Sequence, residues 1–276
     1  MIILSLVQTS INRKKELFRF ITSLNNQINV DLRTIQLIFV DQGDNKDVFK
    51  DLDSRIIFDY IRIPPSSLSH ARNIGIQKVK GKYICFPDDD CWLEANTYSL
   101  ILGRLSIGLD GLVIKVSDEK GKLVGKFPNK SQYLSMFNHC SANSISIFLK
   151  FDKNVLFDEK LGVGSSFGFL SGEETDYLIR YMKKHGENIY YNKDIIIHHP
   201  NNKIDYFSDL SEKKYGYGKG WGCLLRKHKY PLHIKVKSFI RPVFGIILYF
   251  ILGEKMKCKN SIATFKGRID GYLQYK

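Results

Sequence analysis

The sequence is poor in the features that mark several protein classes. Its five cysteines, Cys85, Cys91, Cys140, Cys223 and Cys258, are scattered, odd in number and never paired as CxxC. That argues against a disulfide framework and a structural zinc site, and fits a reducing compartment. Long apolar runs are also missing. The longest, Val243 to Gly253, falls well short of the roughly 20 residues a spanning helix needs. The N-terminus, Met1-Ile-Ile-Leu-Ser-Leu-Val, has neither a basic region nor a small-residue cleavage site, so it reads as a strand rather than a signal peptide. There is no internal repeat, no low-complexity linker and no Gly-rich triphosphate loop near the N-terminus. The glycines at 216, 218, 220 and 222 follow no strand and lack the GxGxxG spacing of a dinucleotide site. They interrupt a helical pattern, and suit either close helix packing or a mobile flap.

What is present is a chain of 276 residues, ample for a sizeable core, with 42 Lys+Arg against 28 Asp+Glu and a net charge of +14. The surplus is local. Residues 201–276 hold 16 Lys+Arg and 5 Asp+Glu, a balance of +11, which leaves +3 for the other 200 residues. Such a surface is suited to a membrane, a nucleic acid or a phosphorylated ligand.

The first hundred residues alternate β-branched runs with helical patterns. Strands are expected at 2–9, 35–41, 56–63 and 83–87. An apolar stripe at Leu17, Ile21, Leu24 and Ile28 marks a helix, and a second is expected over 69–79. Strands separated by helices predict an α/β fold with a parallel sheet and right-handed crossovers. Further strands are expected at 112–116, 144–149 and 189–198, with a helix over 173–185 that Gly186 ends.

The polar residues fall at strand ends: Thr9 and Ser10 after the first, Asp41 after the second, and Asp88-Asp89-Asp90 after the fourth. Ligands of open α/β sheets bind beyond the carboxyl ends of the strands, so these stretches are expected to share one crevice. Three consecutive carboxylates repel one another, and a divalent cation is the usual compensation. Oxygen ligands suit Mg²⁺ or Mn²⁺ held between protein and diphosphate. Alone, the triplet reads first as an Asp-rich helix-capping turn, and its position at the end of a buried-type strand reverses that preference.

The string Leu68-Ser-His-Ala-Arg-Asn-Ile-Gly-Ile, followed by Gly81-Lys-Tyr-Ile-Cys-Phe-Pro-Asp-Asp-Asp, resembles the conserved block of family 2 glycosyltransferases of the GT-A fold, and the C-terminal segment is similar to the bacterial surface-polysaccharide subset of that family. Phe39-Val-Asp41-Gln-Gly is similar to the nucleotide-binding half of that family. The resemblance implies a Rossmann-like, mostly parallel twisted sheet with flanking helices. It divides the chain into a nucleotide-sugar half at 1–105, an acceptor half at 106–200 and a basic helical segment at 201–276. It places Thr9 and Ser10 by the nucleobase, Asp41 on the uracil or ribose of a UDP-sugar, and Arg72 and Asn73 near ribose and phosphates. Asp88, Asp89 and Asp90 lie at the donor, with Asp90 the main metal ligand and Asp88 the second acid of the DxD pair.

Gly172-Glu-Glu-Thr-Asp-Tyr is similar to the family's acidic motif, with Glu where Asp is more frequent. It implies Glu174 as the base of inverting transfer, with Glu173 and Asp176 as alternatives. The same acids also suit the first turn of a helix, where they favour its dipole. His198 or His199 is implied near the metal, His199 first.

The basic residues ahead of the short apolar run near Val243 predict a peripheral enzyme on the cytoplasmic face of the plasma membrane, bound to anionic lipid. Its acceptor would be an oligosaccharide or a glycan on a polyprenyl-diphosphate carrier. Two other readings use parts of the same sequence. A sugar nucleotidyltransferase would also need paired acids and a metal. A nucleic-acid-binding protein would use the basic tail with Tyr206, Phe207, Tyr215, Tyr217 and Trp221, yet leaves the acidic triplet unexplained. No nucleic-acid partner is therefore expected.

Overall fold

The computed structural model describes residues 1–140, 143–201 and 209–275. Two compact units are formed: Met1–Ser66, His70–Leu156 and Arg180–Asn201 make the first, and Ser67–Ser69, Phe157–Ile179 and Asn202–Lys276 the second.

The first unit is built on a sheet. Strands β1 (Leu4–Ser10) and β2 (Ile35–Asp41) are buried along their whole length, the pattern of central strands covered on both faces. β3 (Ile57–Arg62) pairs with β2, and β4 (Tyr83–Cys85) with β1, all in parallel. The register sets Ser10 beside Asp41, so the polar ends of β1 and β2 lie at one edge.

Beyond β4 the sheet becomes mixed. β8 (Ile147–Lys150) inserts antiparallel between β4 and β6 (Gly111–Ser117), and β9 (Ile189–His198) then runs parallel to β6. β5 (Trp92–Leu93) and β7 (Gln132–Tyr133) pair with β9 in antiparallel fashion.

Helix α1 (Lys14–Asn25) buries Leu17, Phe20, Ile21 and Leu24. Ile28, which the spacing assigns to the same stripe, lies beyond the helix and is exposed. Helix α2 (Leu68–Ile76) is shorter than the expected 69–79 because a turn closed by Lys78 N–H on the Gly75 carbonyl ends it. α3 (Thr97–Leu105) follows β5. The strand expected from Ser144 begins three residues later, because Asn143 and Ser146 form a capping box around a 3₁₀ turn at Ser144–Ser146.

Helix α4 (Glu173–His185) has its first half in the second unit. That unit is otherwise helical: α5 (Ser211–Lys227), α6 (Leu232–Ile251) and α7 (Lys255–Gln274). α7 packs against both α5 and α6. The four glycines read as interruptions lie inside α5 and are all buried. A Cβ at Gly218 or Gly222 would strike the α7 backbone, and one at Gly216 or Gly220 would strike Leu170 or Ser171. Close packing is therefore the observed alternative. Among the aromatics assigned to a nucleic-acid surface, Tyr215 donates to Asp270 and Trp221 to Ser238, whereas Tyr206 and Phe207 lie outside the described residues.

Candidate functional site

At the carboxyl edge of β1, β2 and β4, the three aspartates are held by groups from five places in the first unit. β4 ends at Cys85, and after Phe86-Pro87 the chain turns at Asp89-Asp90. Asp88 Oδ1 accepts from the buried Arg72 guanidinium of α2 at 3.0 Å and from Ser144 Oγ at 3.4 Å. Its backbone carbonyl accepts from Gln8 Nε2 of β1. Asp89 accepts from Ser10 Oγ at 2.6 Å and from Arg13 at 2.8 Å. Asp90 accepts from Arg13 at 3.1 Å and lies 3.1 Å from His199 Nε2.

These environments separate the acids electrically. Burial pushes Asp89 up to about 6, against the opposing pull of Ser10 and Arg13. Asp90 is also penalised by burial, but the hydrogen bond and charge of His199, together with Arg13, hold it below the usual carboxylate range. For His199, burial lowers the pKa and Asp90 more than restores it, so the net shift is upward.

The two histidines at the end of β9 part company, as neighbours on a strand must. His198 stacks on Trp92 and reaches Ser117 Oγ and Glu94. His199 faces the aspartates, and its Nδ1 lies 2.8 Å from the Pro200 carbonyl, which can only accept. Nε2 is therefore either protonated toward Asp90 or free to bind a cation in the proton's place.

Asp88, Asp90 and His199 each offer a ligand atom, and these atoms all lie within 4.8 Å of one another. The 3.1 Å between His199 Nε2 and Asp90 Oδ1 matches adjacent ligands of a six-coordinate ion, about 3.0 Å apart when each bond is about 2.1 Å. The donor set of two carboxylates and one imidazole thus fits Mg²⁺ or Mn²⁺.

Thr9 and Ser10 lie at the same edge, with Gln42 Nε2 donating to Thr9 Oγ1. Asn73 sits one residue beyond Arg72 on α2 and is largely buried. Asp41 is fully buried. Its carboxylate accepts from Gly43 N–H, Asn45 N–H, Asn45 Nδ2 and Tyr60 O–H, all within 2.9 Å, so its bonds are directed at the loop that follows β2. Burial acts against its charge, but the amide donors outweigh it and hold the carboxyl below its ordinary range.

In the second unit the three candidate acids at the start of α4 differ sharply. Asp176 is fully buried and lies 2.7 Å from Lys227 Nζ and 2.8 Å from His228 Nε2, with Asp158 2.5 Å from the same lysine. Glu173 is only 4% exposed, whereas Glu174 is half-buried and within reach of solvent.

Two cations at the aspartates have no counterpart in the sequence reading. Arg13 follows β1 through Asn12, which takes a left-handed φ of 51° and accepts from Asp44 N–H, and this turn brings Arg13 to the acids. Arg19, one and a half turns along α1, donates to the Asp90 carbonyl at 2.6 Å and stacks on Trp92. Arg13 stands three residues after Ser10, at the end of a strand whose polar tip was already in view, and that position was the available signal.

The first unit thus carries, on a mixed α/β sheet, an acidic cluster at the ends of its parallel strands joined by a histidine that follows a later strand. The Glycosyl transferase family 2 model matches residues 5–170, and the chain belongs to that family. No curated protein matches it in sequence. Among solved structures it is similar to the mannosyltransferase PcManGT from Pyrobaculum calidifontis in complex with GDP-Man and Mn²⁺, at 12% identity and a TM-score of 0.65, over 99% of this chain and 87% of that one. It is also similar to S. aureus TarS 1-349 in complex with UDP-GlcNAc, at 13% identity and a TM-score of 0.62, over 96% of this chain and 90% of that one. Against a longer S. aureus TarS structure the TM-score is 0.61 at 13% identity, with 98% of this chain covered but only 55% of that chain's length. At these identities the likeness concerns the fold, which is of the GT-A type.

Proposed function

We propose that the protein is a metal-dependent inverting glycosyltransferase that moves a sugar from a nucleotide-sugar donor, a UDP-sugar on our reading, to a glycan acceptor. The observation that carries this is the convergence of Asp88, Asp90 and His199 at the ends of the parallel strands in a family 2 chain. The bound UDP-GlcNAc of TarS and the GDP-Man and Mn²⁺ of PcManGT support the same class of donor and cation.

On this reading Asp88, Asp90 and His199 hold Mn²⁺ or Mg²⁺, which when bound neutralises charge on the leaving diphosphate. Arg72 fixes Asp88 in place. Asp89, anchored by Ser10 and Arg13, keeps the triplet's backbone in register. Thr9 and Ser10 border the nucleobase, Asp41 serves it through the loop it holds, and Asn73 lies toward the ribose. Glu174 takes the proton of the acceptor hydroxyl as that oxygen bonds to the anomeric carbon and the bond to the diphosphate oxygen breaks, inverting the centre. It is preferred over Glu173 and Asp176 because it is the most accessible of the three. Residues 1–105 then hold the donor, 106–200 meet the acceptor, and 201–276 bring the enzyme to the cytoplasmic face of the plasma membrane. A polyprenyl-diphosphate-linked acceptor of surface polysaccharide assembly suits that location.

The test is to incubate the full chain with a panel of UDP- and GDP-sugars, with Mn²⁺ or Mg²⁺, and to measure nucleoside diphosphate release. Release that requires a divalent cation and disappears in Asp90→Ala is the expected outcome. Release indifferent to Asp90, or none with any donor, would sink the reading. Pyrophosphate formed from a nucleoside triphosphate and a sugar phosphate would point to nucleotidyl transfer instead.

A further inference from the structure

Helix α6 carries an apolar face that the rest of the protein leaves in solvent. Leu232, Val236, Ile240, Phe244, Ile247 and Ile251 recur every three or four residues and are 45–76% exposed. At 100° per residue they fall within one third of the helix circumference. Phe250, at 79% exposed, lies in the same sector near its C-terminal end. The opposite side of α6 is engaged within the second unit. Ser238 accepts from Trp221, Phe239 packs edge-on against Tyr272, Pro242 is buried, and the Ile246 carbonyl accepts from Cys258. The apolar face is therefore surplus to the packing of the unit.

The charge around this face has one sign. Between residues 229 and 259 the chain has Lys229, Lys235, Lys237, Arg241, Lys255, Lys257 and Lys259 against a single acid, Glu254. Lys237 and Arg241 are exposed on one margin of the stripe. An apolar stripe beside cations is complementary to a surface that is anionic outside and hydrocarbon beneath, which is the boundary of an acidic bilayer. None of the described helices is long and apolar enough to cross a membrane.

We propose that α6 docks the protein on anionic membranes by lying flat in the headgroup layer. Phe244, Ile247 and Ile251 enter the acyl boundary while Lys237 and Arg241 meet lipid phosphates. At 20 residues the helix offers an element about 30 Å long parallel to the surface. This deepens the membrane-side reading above and rests on it for the acceptor's whereabouts. It names the element and the side chains that the reading left open.

The experiment is co-sedimentation of the full chain with vesicles of phosphatidylcholine alone and of phosphatidylcholine with 30% phosphatidylglycerol. The wild type is expected in the pellet with the anionic vesicles only. Phe244→Ser/Ile247→Ser/Ile251→Ser should remain in the supernatant. Lys237→Gln/Arg241→Gln should bind about 30-fold more weakly, as two lost contacts of roughly 1 kcal/mol each imply. These side chains are exposed, so an unchanged thermal melt will show that the variants fold. Phe244→Trp should shift its fluorescence to the blue on adding anionic vesicles. The proposal is overturned if the wild type stays in solution, or if the serine variant pellets like the wild type. It is also overturned if light scattering shows a dimer that this variant splits while vesicles bind neither form, since the face is then a contact between copies. Nucleoside diphosphate release in free solution is measured on the same samples. Vesicle binding without release fails the transferase reading alone, and release without vesicle binding fails docking alone.

Discussion

Two acidic stretches in this chain look alike as strings and are treated in opposite ways by the fold. Asp88-Asp89-Asp90 is held by hydroxyls, guanidinium groups and an imidazole at a strand edge. Asp88 keeps 35% of its side chain exposed, and a proton or cation is required between His199 and Asp90. Glu173-Glu174-Thr175-Asp176 opens a helix, and its innermost acid is buried against Lys227 and His228. The first set leaves room for an added charge. In the second, Asp176 is already matched inside the protein, and only Glu174 faces outward enough to exchange a proton. Whether the surrounding protein has already met an acid's charge decides which of these groups stay available to a cation or a proton.

The sharpest way to break this contrast is Asp90→Ala. Metal-stimulated turnover should fall on the order of a thousandfold or more, since a catalytic cation supplies several kcal/mol at the transition state. Cation binding, followed by calorimetry or Mn²⁺ electron paramagnetic resonance, should weaken in parallel. Asp176→Ala should do the reverse. Leaving Lys227 and His228 without their shared partner costs about 3–5 kcal/mol of stability, to be read from urea melts, with cation binding unaffected. If that variant instead melts like the wild type and loses turnover, Asp176 is the base and the contrast collapses.

Glu174→Gln lies between the two. Its turnover should drop about 100-fold or more with melting and donor affinity unchanged, because only the proton acceptor is lost. A partly exposed cluster supplies the small-effect control. Burial works against the charge of Asp152, but Lys184, the Asn154 amide and His185 outweigh it and hold its carboxyl far below the ordinary range. A depressed carboxylate stabilises above its unfolded pKa, and the gain is lost as pH falls below about 4. Asp152→Asn should therefore cost under about 1 kcal/mol at pH 7, and the difference from wild type should shrink as melts are run at progressively lower pH.

The parts of this fold that were legible are those in which one physical signal dominates over a short span. β2, α4 and β9 fall where the apolar period and the Gly186 stop put them, and the acidic triplet follows the fourth strand as expected. The mixed half of the sheet was not legible. β8 joins β4 to β6 through pairings 63–67 and 34–38 residues apart in sequence, and nothing within Ile147–Lys150 states its partner or direction. The site shows the same limit. Asp90 could be picked from its strand end, but Arg13 reaches it across 77 positions through a left-handed turn at Asn12. Asp41 stood out for the same reason as Asp90, yet the donors that bury it come from its own loop and from Tyr60. Whether a strand-end acid faces a ligand or its own backbone depends on the following turn, and residue type alone does not reveal that.

The glycines of α5 show how far a helix can depart from the usual rhythm. Gly216 and Gly220 point one way and Gly218 and Gly222 nearly the opposite way, each without space for one more carbon. Gly267 and Gly271 of α7 meet α5 with the same lack of space. A saturation mutagenesis profile of this stretch would therefore show intolerance at every second position, the beat of a strand written on a helix. An inference of secondary structure from substitution data alone would assign Gly216 to Gly222 to a sheet.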